Sequence, residues 1–180
     1  GSGTGKLSAQ LLAAGFRVCG VEPNPDMRGA AEALLGGDPR FSSSNGTDHD
    51  TGLPDRSVDM VAAAQAFHWF DGPAFARECR RILRPGGRAV LVWNVRGSAP
   101  MNQALAQVFR EHCPSFHGFT GGMGEDDPCI RDFFGGAYEK RRFPNPLTLD
   151  RDRFLRRCFS SSYALREGDA DYEAFRAALE

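Results

Sequence analysis

The sequence predicts an α/β fold in which a doubly wound, mostly parallel sheet is flanked by helices. Short apolar runs typical of strands alternate with longer runs of helical periodicity, an order that favours parallel strands joined by crossover helices. Residues 58–64 are almost all apolar, as expected of a strand covered on both faces. Several polar or glycine-rich stretches follow the predicted strands at their carboxyl ends, where such sheets bind ligands.

The first half of the chain has clear start and stop signals for its elements. A first helix ends at Gly15, and a second begins with Pro25 in its first turn and ends at two glycines. The helices of this half are predicted at 6–12 and 25–35, and its strands at 16–21, 40–44 and 58–64. Residues 46–56 have the composition of a polar loop.

In the second half an amphipathic helix around 75–83 is broken by Pro85-Gly86-Gly87. The strands of this half are predicted at 89–93 and 138–143, and its further helices around 101–112, at 151–159 and from 172 onward. The apolar stripe of the helix around 101–112 consists of Met101, Leu105, Val108, Phe109 and His112. Residues 113–132 lack periodicity and are predicted to form a lid or substrate loop.

No strand-like segment precedes Gly1, although the fold needs a central strand there. Without it, the neighbouring strands would carry unpaired buried backbone groups. We therefore interpret residues 1–180 as one domain that lacks its upstream strand and a last C-terminal segment.

Composition excludes several classes of function. The net charge of −1 argues against a dedicated nucleic-acid surface, and no apolar run reaches membrane-spanning length. The five cysteines form no C-x-x-C pair and indicate reduced thiols in a cytoplasmic protein. Residues 131–166 contain nine Lys and Arg against four Asp and Glu, which could steer an anionic substrate or RNA; solvated helix faces explain the excess equally well.

The chain opens on the glycine-rich loop Gly1-Ser2-Gly3-Thr4-Gly5-Lys6. Glycine lets the backbone approach a ligand closely and adopt positive φ. A Walker phosphate loop needs another glycine five positions before Gly5, and a dinucleotide loop needs glycine where Lys6 stands. The pattern that remains is G-x-G-x-G.

Glu22 follows the next predicted strand, 17 positions after Gly5. A carboxylate there can accept two hydrogen bonds from a ribose diol. Proteins that bind NAD place an acid at the same point, and an exposed glutamate before a proline turn is the simpler alternative. Pro23 and Met27 could pack against an adenine, or Met27 could fill the core.

Four further sequence motifs follow in order, each next to the start or end of a predicted strand or helix. They are the segment 46–54, Ser57-Val58-Asp59 at a strand start, Ala64-Gln65-Ala66-Phe67-His68-Trp69-Phe70-Asp71, and Leu83-Arg84-Pro85-Gly86-Gly87. Together with G-x-G-x-G, they resemble class I S-adenosylmethionine-dependent methyltransferases. The ubiquinone/menaquinone-biosynthesis and trans-aconitate group is the most similar. The resemblance runs from Gly1 to about Asn94 and implies a Rossmann-like fold and methyl transfer to a small molecule.

The resemblance also implies which residues bind the cofactor. The predicted set is Gly1, Ser2, Gly3, Gly5, Glu22, Pro23, Met27, Asp48, His49, Gln65, Ala66 and Phe67. His49 stands where the family has an acid that binds the adenine, so this contact is divided between Asp48 and His49. The Asp48-His49-Asp50 triplet predicts no metal site, because three consecutive side chains cannot all point at one ion. Zinc-type side chains between 112 and 129 also lack a zinc spacing.

The acceptor side of the site is assigned to His68, Trp69 and Asn94. Phe67 and Trp69 offer aromatic walls that can face a sulfonium. His68 is the candidate catalytic base because its pKa range suits proton transfer near pH 7. The alternative is an aromatic turn with His68 packed between its neighbours.

The predicted function is methyl transfer from S-adenosylmethionine to an oxygen, nitrogen or carbon of a small-molecule acceptor. Neither nucleic acid nor membrane is expected as a partner, and the sequence does not specify the oligomeric state. A methyltransferase-like protein that binds the cofactor without catalysis is the first alternative. An NAD-dependent oxidoreductase is the second, and the absence of glycine at Lys6 and the His68-Trp69-Phe70 block count against it.

Overall fold

Two pairs of parallel strands form the sheets of the computed structural model, which describes residues 1–120, 123–124 and 126–180. Strand β1 (Val18–Val21) pairs with β2 (Phe41–Ser44), and β3 (Val58–Ala64) pairs with β4 (Leu83–Val92). Among the described residues the two pairs are not hydrogen-bonded to each other. The parallel strands, with helices between them along the chain, confirm the α/β prediction.

The described residues divide into two units, which we describe separately. The first unit comprises Gly1–Trp93 and Asp126–Tyr138, and the second comprises Asn94–Glu125 and Glu139–Glu180. The first unit contains both sheets, helices α1 (Lys6–Ala13), α2 (Pro25–Leu35), α3 (Gly72–Ile82) and α5 (Pro128–Phe133), and a 3₁₀ turn at Phe67–Trp69. The second contains α4 (Pro100–His112), α6 (Arg151–Phe159) and α7 (Tyr172–Leu179). That residues 1–180 form one domain stays a prediction.

Side-chain caps set several of the helix starts. The Asn24 side chain accepts hydrogen bonds from the first-turn amides of α2, and Asp71 accepts one from Ala74 in α3. These contacts satisfy backbone donors that have no partner within the helix. The caps lie directly after β1 and the 3₁₀ turn, so they also fix where the chain leaves the predicted ligand edge.

Five expectations from the sequence are wrong. Residues 138–143 form no strand, because the charged run Glu139-Lys140-Arg141-Arg142 offers neither face for burial. The predicted loop 113–132 contains α5, which Asp127 caps and which buries Ile130 and Phe133. Residues 121, 122 and 125 of that loop lie outside the described residues. Met101 does not belong to the apolar stripe of α4, since it is exposed.

The fourth correction concerns strand coverage. Strand β3 buries Ala63 but exposes Met60 and Ala62, so one of its faces is open in the part of the chain that the structure describes. The Pro85-Gly86-Gly87 turn does not precede β4 but interrupts it, because the pairing jumps from Val58–Leu83 to Met60–Arg88.

Aromatic side chains dominate both cores. In the first unit Phe75 of α3 stacks on Phe133 of α5 with ring centroids 5.2 Å apart, and Phe67 lies edge-on to Phe133 at 5.2 Å. In the second unit Phe109 of α4 and Phe175 of α7 are fully buried with Cys113 and Cys158. None of the helices within the described residues is long and apolar enough to cross a membrane.

A buried carboxylate that the sequence analysis missed holds the polar loop 46–56 against α3. Glu78 accepts hydrogen bonds from the Thr51 amide at 2.9 Å and the Thr51 hydroxyl at 2.5 Å. Arg81 donates to Glu78 from Nε at 2.8 Å and Nη2 at 2.7 Å, and to Asp55 at 2.7 Å. These contacts, the Arg81 hydrogen bonds first, lower the pKa of Glu78 from 4.5 to about 2.

Replacing Phe109 by alanine should lower the free energy of unfolding by about 3–5 kcal/mol, because the ring is fully buried and leaves a cavity. Urea unfolding followed by circular dichroism measures this loss. Met101→Ala on the exposed side of the same helix is the matched control and should change stability by less than about 0.5 kcal/mol. Equal effects of the two substitutions would contradict the described core.

Glu78→Gln should cost about 1.5–3 kcal/mol of stability at pH 7, the range for hydrogen bonds to a charged group. Since the folded pKa is depressed, the stabilisation is present above about pH 4.5 and is lost as the pH falls toward 2. Urea unfolding at pH 7, 4 and 2.5 should therefore show a steeper acid loss for the wild type than for the variant. Glu32→Gln, at an exposed position of α2, is the control. Parallel pH curves for wild type and Glu78→Gln would refute this account.

Candidate functional site

The glycine loop lies against the end of β1. The Ser2 amide donates to the Val21 carbonyl at 2.9 Å, and Gly3 and Gly5 adopt φ of 57° and 83°. A Cβ on Gly5 would lie 2.9 Å from Leu35 Cδ1 and 3.2 Å from Ala31 Cβ, so glycine is required for packing against α2. A Cβ on Gly3 would meet nothing within 4 Å, and the loop therefore has an open side at Gly3.

Glu22 holds this loop in place. Its Oε2 accepts a hydrogen bond from the Gly3 amide at 2.7 Å, and its Oε1 accepts one from the Asn24 amide at 3.1 Å. The residue is 6% exposed, so the alternative of an exposed turn glutamate is wrong. A carboxylate has about four acceptor positions, and the two amides leave the others available to a ligand.

Arg28 of α2, which the sequence analysis did not select, joins the ends of β1 and β2. Its Nη1 donates to the Glu22 carbonyl at 2.8 Å and to the Asn45 side chain at 2.9 Å. A guanidinium can bridge several acceptors at once, which makes it suited to fixing adjacent strand ends. The sequence predicts its position one turn after the Asn24 cap. It does not predict which groups at the strand ends accept its hydrogen bonds.

Pro23 and Met27 follow Glu22 along the chain, and both are exposed. Met27 is 48% exposed, which rules out the alternative that it fills the core. An exposed thioether is compatible with packing against an adenine, and that contact stays a prediction.

Asp48 connects the polar loop to the next strand end. Its Oδ2 accepts a hydrogen bond from the Asp71 amide at 3.0 Å, and its Oδ1 lies 3.1 Å from Nδ1 of the exposed His49. The structure thus brings Asp48 to the 65–71 block, while the division of the adenine contact between Asp48 and His49 stays open. Among the described residues, no group of three or more His, Cys, Asp or Glu side chains is arranged to hold a metal ion.

The backbone is strained where β3 ends. Gln65 has φ of 53°, a left-handed conformation that non-glycine residues rarely adopt, and its amide donates to the Val92 carbonyl at 2.9 Å. Such strain costs of order 1–3 kcal/mol and occurs preferentially at functional sites. Its coincidence with a predicted cofactor-binding residue supports a site at this edge.

Ala66 and Phe67 turn inward after Gln65. Both are buried, and the Phe67 ring packs among Phe75, Phe133 and Trp93. The ring therefore supports the site from the core side, and its contact with a cofactor stays a prediction. Trp69 behaves differently: it is 73% exposed and its ring lies 5.0 Å from that of His68.

Two polar atoms at this edge are buried without a hydrogen-bond partner in the described part of the chain: Nδ1 of His68 and Nε1 of Trp93. Burial lowers the pKa of His68 below its usual 6.5. Buried polar atoms are nearly always paired, so two orphans call for an explanation such as a ligand or water. Trp93 directly follows β4, whose Val92 pairs with Ala64 at the end of β3.

The remaining predicted acceptor residue lies in the other unit. Asn94 begins the second unit, and its Oδ1 accepts a hydrogen bond from Asn145 at 2.9 Å. The structure brings the glycine loop together with Glu22 and with the 65–71 block, since a Cβ on Gly1 would lie 3.2 Å from Ala66 Cβ, and Asp48 joins that block through the Asp71 amide. The role of Asn94 and the closure of a lid stay predictions.

Comparison with known proteins identifies the family. The sequence model of the methyltransferase domain matches residues 1–91. An uncharacterized methyltransferase of Mycobacterium tuberculosis is 45% identical over 96 residues, which are 53% of this chain and 38% of that protein. A methyltransferase-like protein of Schizosaccharomyces pombe is 29% identical over 181 residues. The match covers 95% of this chain and 66% of the length of that protein.

The fold agrees with these matches. The solved structure of a candidate type II methyltransferase from Anaeromyxobacter dehalogenans superposes with a TM-score of 0.62 at 26% identity, covering 99% of this chain and 77% of that one. The chain spans about two fifths of the length of the mycobacterial relative. Since the family's sequence model covers half of the chain, the protein belongs to the methyltransferase-domain family, as its resemblance to class I S-adenosylmethionine-dependent methyltransferases predicts.

Proposed function

We propose that this protein transfers a methyl group from S-adenosylmethionine to a small-molecule acceptor. The observation that supports this most is the contact between the buried Glu22 carboxylate and the Gly3 amide, in a chain of this family. It puts an acid with unused acceptor positions beside a loop whose backbone is open on one side.

The residues at the strand ends fit an adenosyl cofactor. Glu22 has acceptor positions for a ribose diol, and the glycine loop allows close approach of the backbone. Asp48 or His49 would bind the adenine, and the strained Gln65 would face the amino-acid part. The two orphaned polar atoms, on His68 and Trp93, would gain partners from bound molecules or their water.

When bound, S-adenosylmethionine supplies a methyl group that its sulfonium already activates. The chain's own contribution is then mainly to hold donor and acceptor in line, which replaces a bimolecular encounter by a positioned one. The aromatic packing of Phe67 against Phe75 and Phe133 keeps the floor of this edge rigid and free of water. Burial lowers the pKa of His68 and so favours the neutral ring, which is the form that accepts a proton from the acceptor.

S-adenosylmethionine and its demethylated product should bind in calorimetric titrations, and NAD should not. Glu22→Gln should weaken cofactor binding roughly 10- to 100-fold, because it replaces a charged acceptor of hydrogen bonds. Asp26→Asn, an exposed acid in the first turn of α2, is the matched control and should leave affinity unchanged.

The buried position of Glu22 means that folding must be measured alongside binding. Circular dichroism and urea unfolding show whether the variant is folded under the conditions of the titration. Tight NAD binding without response to either adenosyl ligand would overturn the cofactor assignment. Cofactor binding without turnover of any acceptor would favour the binding protein that no longer catalyses.

His68→Gln should lower turnover by roughly 10²–10⁴ while leaving cofactor affinity nearly intact, if His68 is the base. The wild-type rate should fall as the pH drops below the lowered pKa of His68, because the protonated ring cannot accept a proton. The variant should lose this dependence. The acceptor used must have a pKa well above 7, since one that ionises without help hides the role of a base. Lost cofactor affinity together with a loosened fold would make His68 a packing residue.

A further inference from the structure

We propose that the second unit holds a separate binding site for a small organic anion, with a carboxylate or phosphate group, in the cleft formed by Arg96, Arg110 and Phe119. The cleft lies wholly within that unit, between the segment before α4, the helix itself and the residues after it. Its volume is about 430 Å³, within the range of small-molecule sites. The inference does not depend on methyl transfer.

Arg96 is the main reason for this assignment. Its guanidinium carbon lies over the Phe119 ring, 3.9 Å from the ring centroid, which is a cation–π contact. A guanidinium also carries N–H groups at the edge of its plane that suit bidentate contact with a carboxylate or phosphate. No carboxylate in the described ranges pairs with Arg96, although the residue is half-buried.

Arg96 has a second arginine, Arg157, in its electrostatic surroundings. Burial is the main cause that lowers the pKa of Arg96; Tyr163 raises it, the repulsion of Arg157 lowers it, and Cys158 raises it. Arg110 also lines the cleft, and its hydrogen bond is a long one of 3.5 Å to Oε1 of Gln107. The neighbouring Glu111 accepts from Gln107 at 2.6 Å instead of pairing with either arginine. Half-buried charge without a counter-ion is costly, and a bound anion would remove that cost.

The backbone around the cleft is held in shape. Asn102 donates to the Gly97 carbonyl at 2.9 Å, and Gln103 donates to the Ser98 carbonyl at 2.8 Å. These two amides belong to the first turn of α4, a helix of 13 residues whose N-terminal end carries positive potential.

The lining also indicates the rest of the ligand. Ala106 and the Phe119 ring give the cleft an apolar part beside the two guanidinium groups. An organic anion with a small apolar body would fill both parts, whereas a bare inorganic ion would use the charged part alone. We therefore assign the cleft to aromatic or aliphatic acids and their phosphate-ester counterparts.

Calorimetric titration of the protein with benzoate and phenyl phosphate tests this, with benzamide as the neutral analogue of similar shape. Benzoate or phenyl phosphate should bind and benzamide should not, and affinity should fall as salt is raised. Arg96→Gln and Arg110→Gln should each weaken binding about tenfold or more, and Arg96→Lys should recover part of the loss. Arg153→Gln, at an exposed arginine of α6 in the same unit, is the matched control and should change nothing.

Two results would overturn the proposal: no binding of either anion to the wild-type protein, or equal loss of affinity in Arg153→Gln and Arg96→Gln. Because Arg110 is exposed, the Arg110→Gln variant should fold even if the Arg96→Gln variant does not. The affinity of Arg110→Gln for the two anions then tests the proposal by itself. Loss of S-adenosylmethionine binding in the Glu22 variant would leave this site untouched. Failure of methyl transfer and failure of the anion site are therefore distinguishable.

Discussion

The carboxylate of Glu22 connects the glycine loop, the end of β1 and the start of α2. It receives the Gly3 amide of the glycine loop at 2.7 Å and the Asn24 amide at 3.1 Å, where α2 begins. Asn24 in turn caps α2, and Arg28 of that helix returns to the carbonyl of Glu22. A buried carboxylate is stable only where hydrogen bonds replace its hydration, and these two amides do so. The conformation of the predicted cofactor edge therefore depends in large part on the side chain of Glu22.

Glu78 solves the same problem at the next strand end in a different way. It is buried like Glu22, but its charge is balanced by Arg81 and its remaining acceptor positions are taken by Thr51. Its depressed pKa reflects this full set of partners. Glu78 therefore has little capacity left for a ligand, whereas no arginine or lysine side chain in the described ranges forms an ion pair with Glu22. Of the two buried carboxylates, the one held by two backbone amides lies beside the open glycine loop.

Local signals in the sequence were sufficient for much of the first unit. Helix α2 has the bounds expected from Pro25 and the glycines that follow it, and β3 has the bounds expected from its apolar run. What could not be read were contacts distant along the chain, such as Thr51 with Glu78, because no periodicity links those positions. Asp127 before Pro128 is a sequence signal for the start of α5. It lies in a stretch rich in glycine and phenylalanine whose composition instead indicates a loop. The burial of Glu22 could not be predicted from the sequence either. It depends on the position of Gly3, which is distant from Glu22 along the chain.

One end of β3 and β4 combines a strained residue with two buried nitrogens that have no partner among the described residues, while the other non-glycine residue of positive φ, Arg56, lies before β3. Gln65 has a positive φ, His68 and Trp93 each have a buried nitrogen without a partner, and Ala64 and Val92 are paired neighbours in the sheet. A fold shaped by stability alone would have glycine at position 65 and partners for both nitrogens, since each defect costs free energy. The rest of the unit offsets that cost through its aromatic core, in which Phe67 is fixed by Phe75 and Phe133 directly beneath the strained segment. The rigid core thus allows the strand ends to keep a strained arrangement.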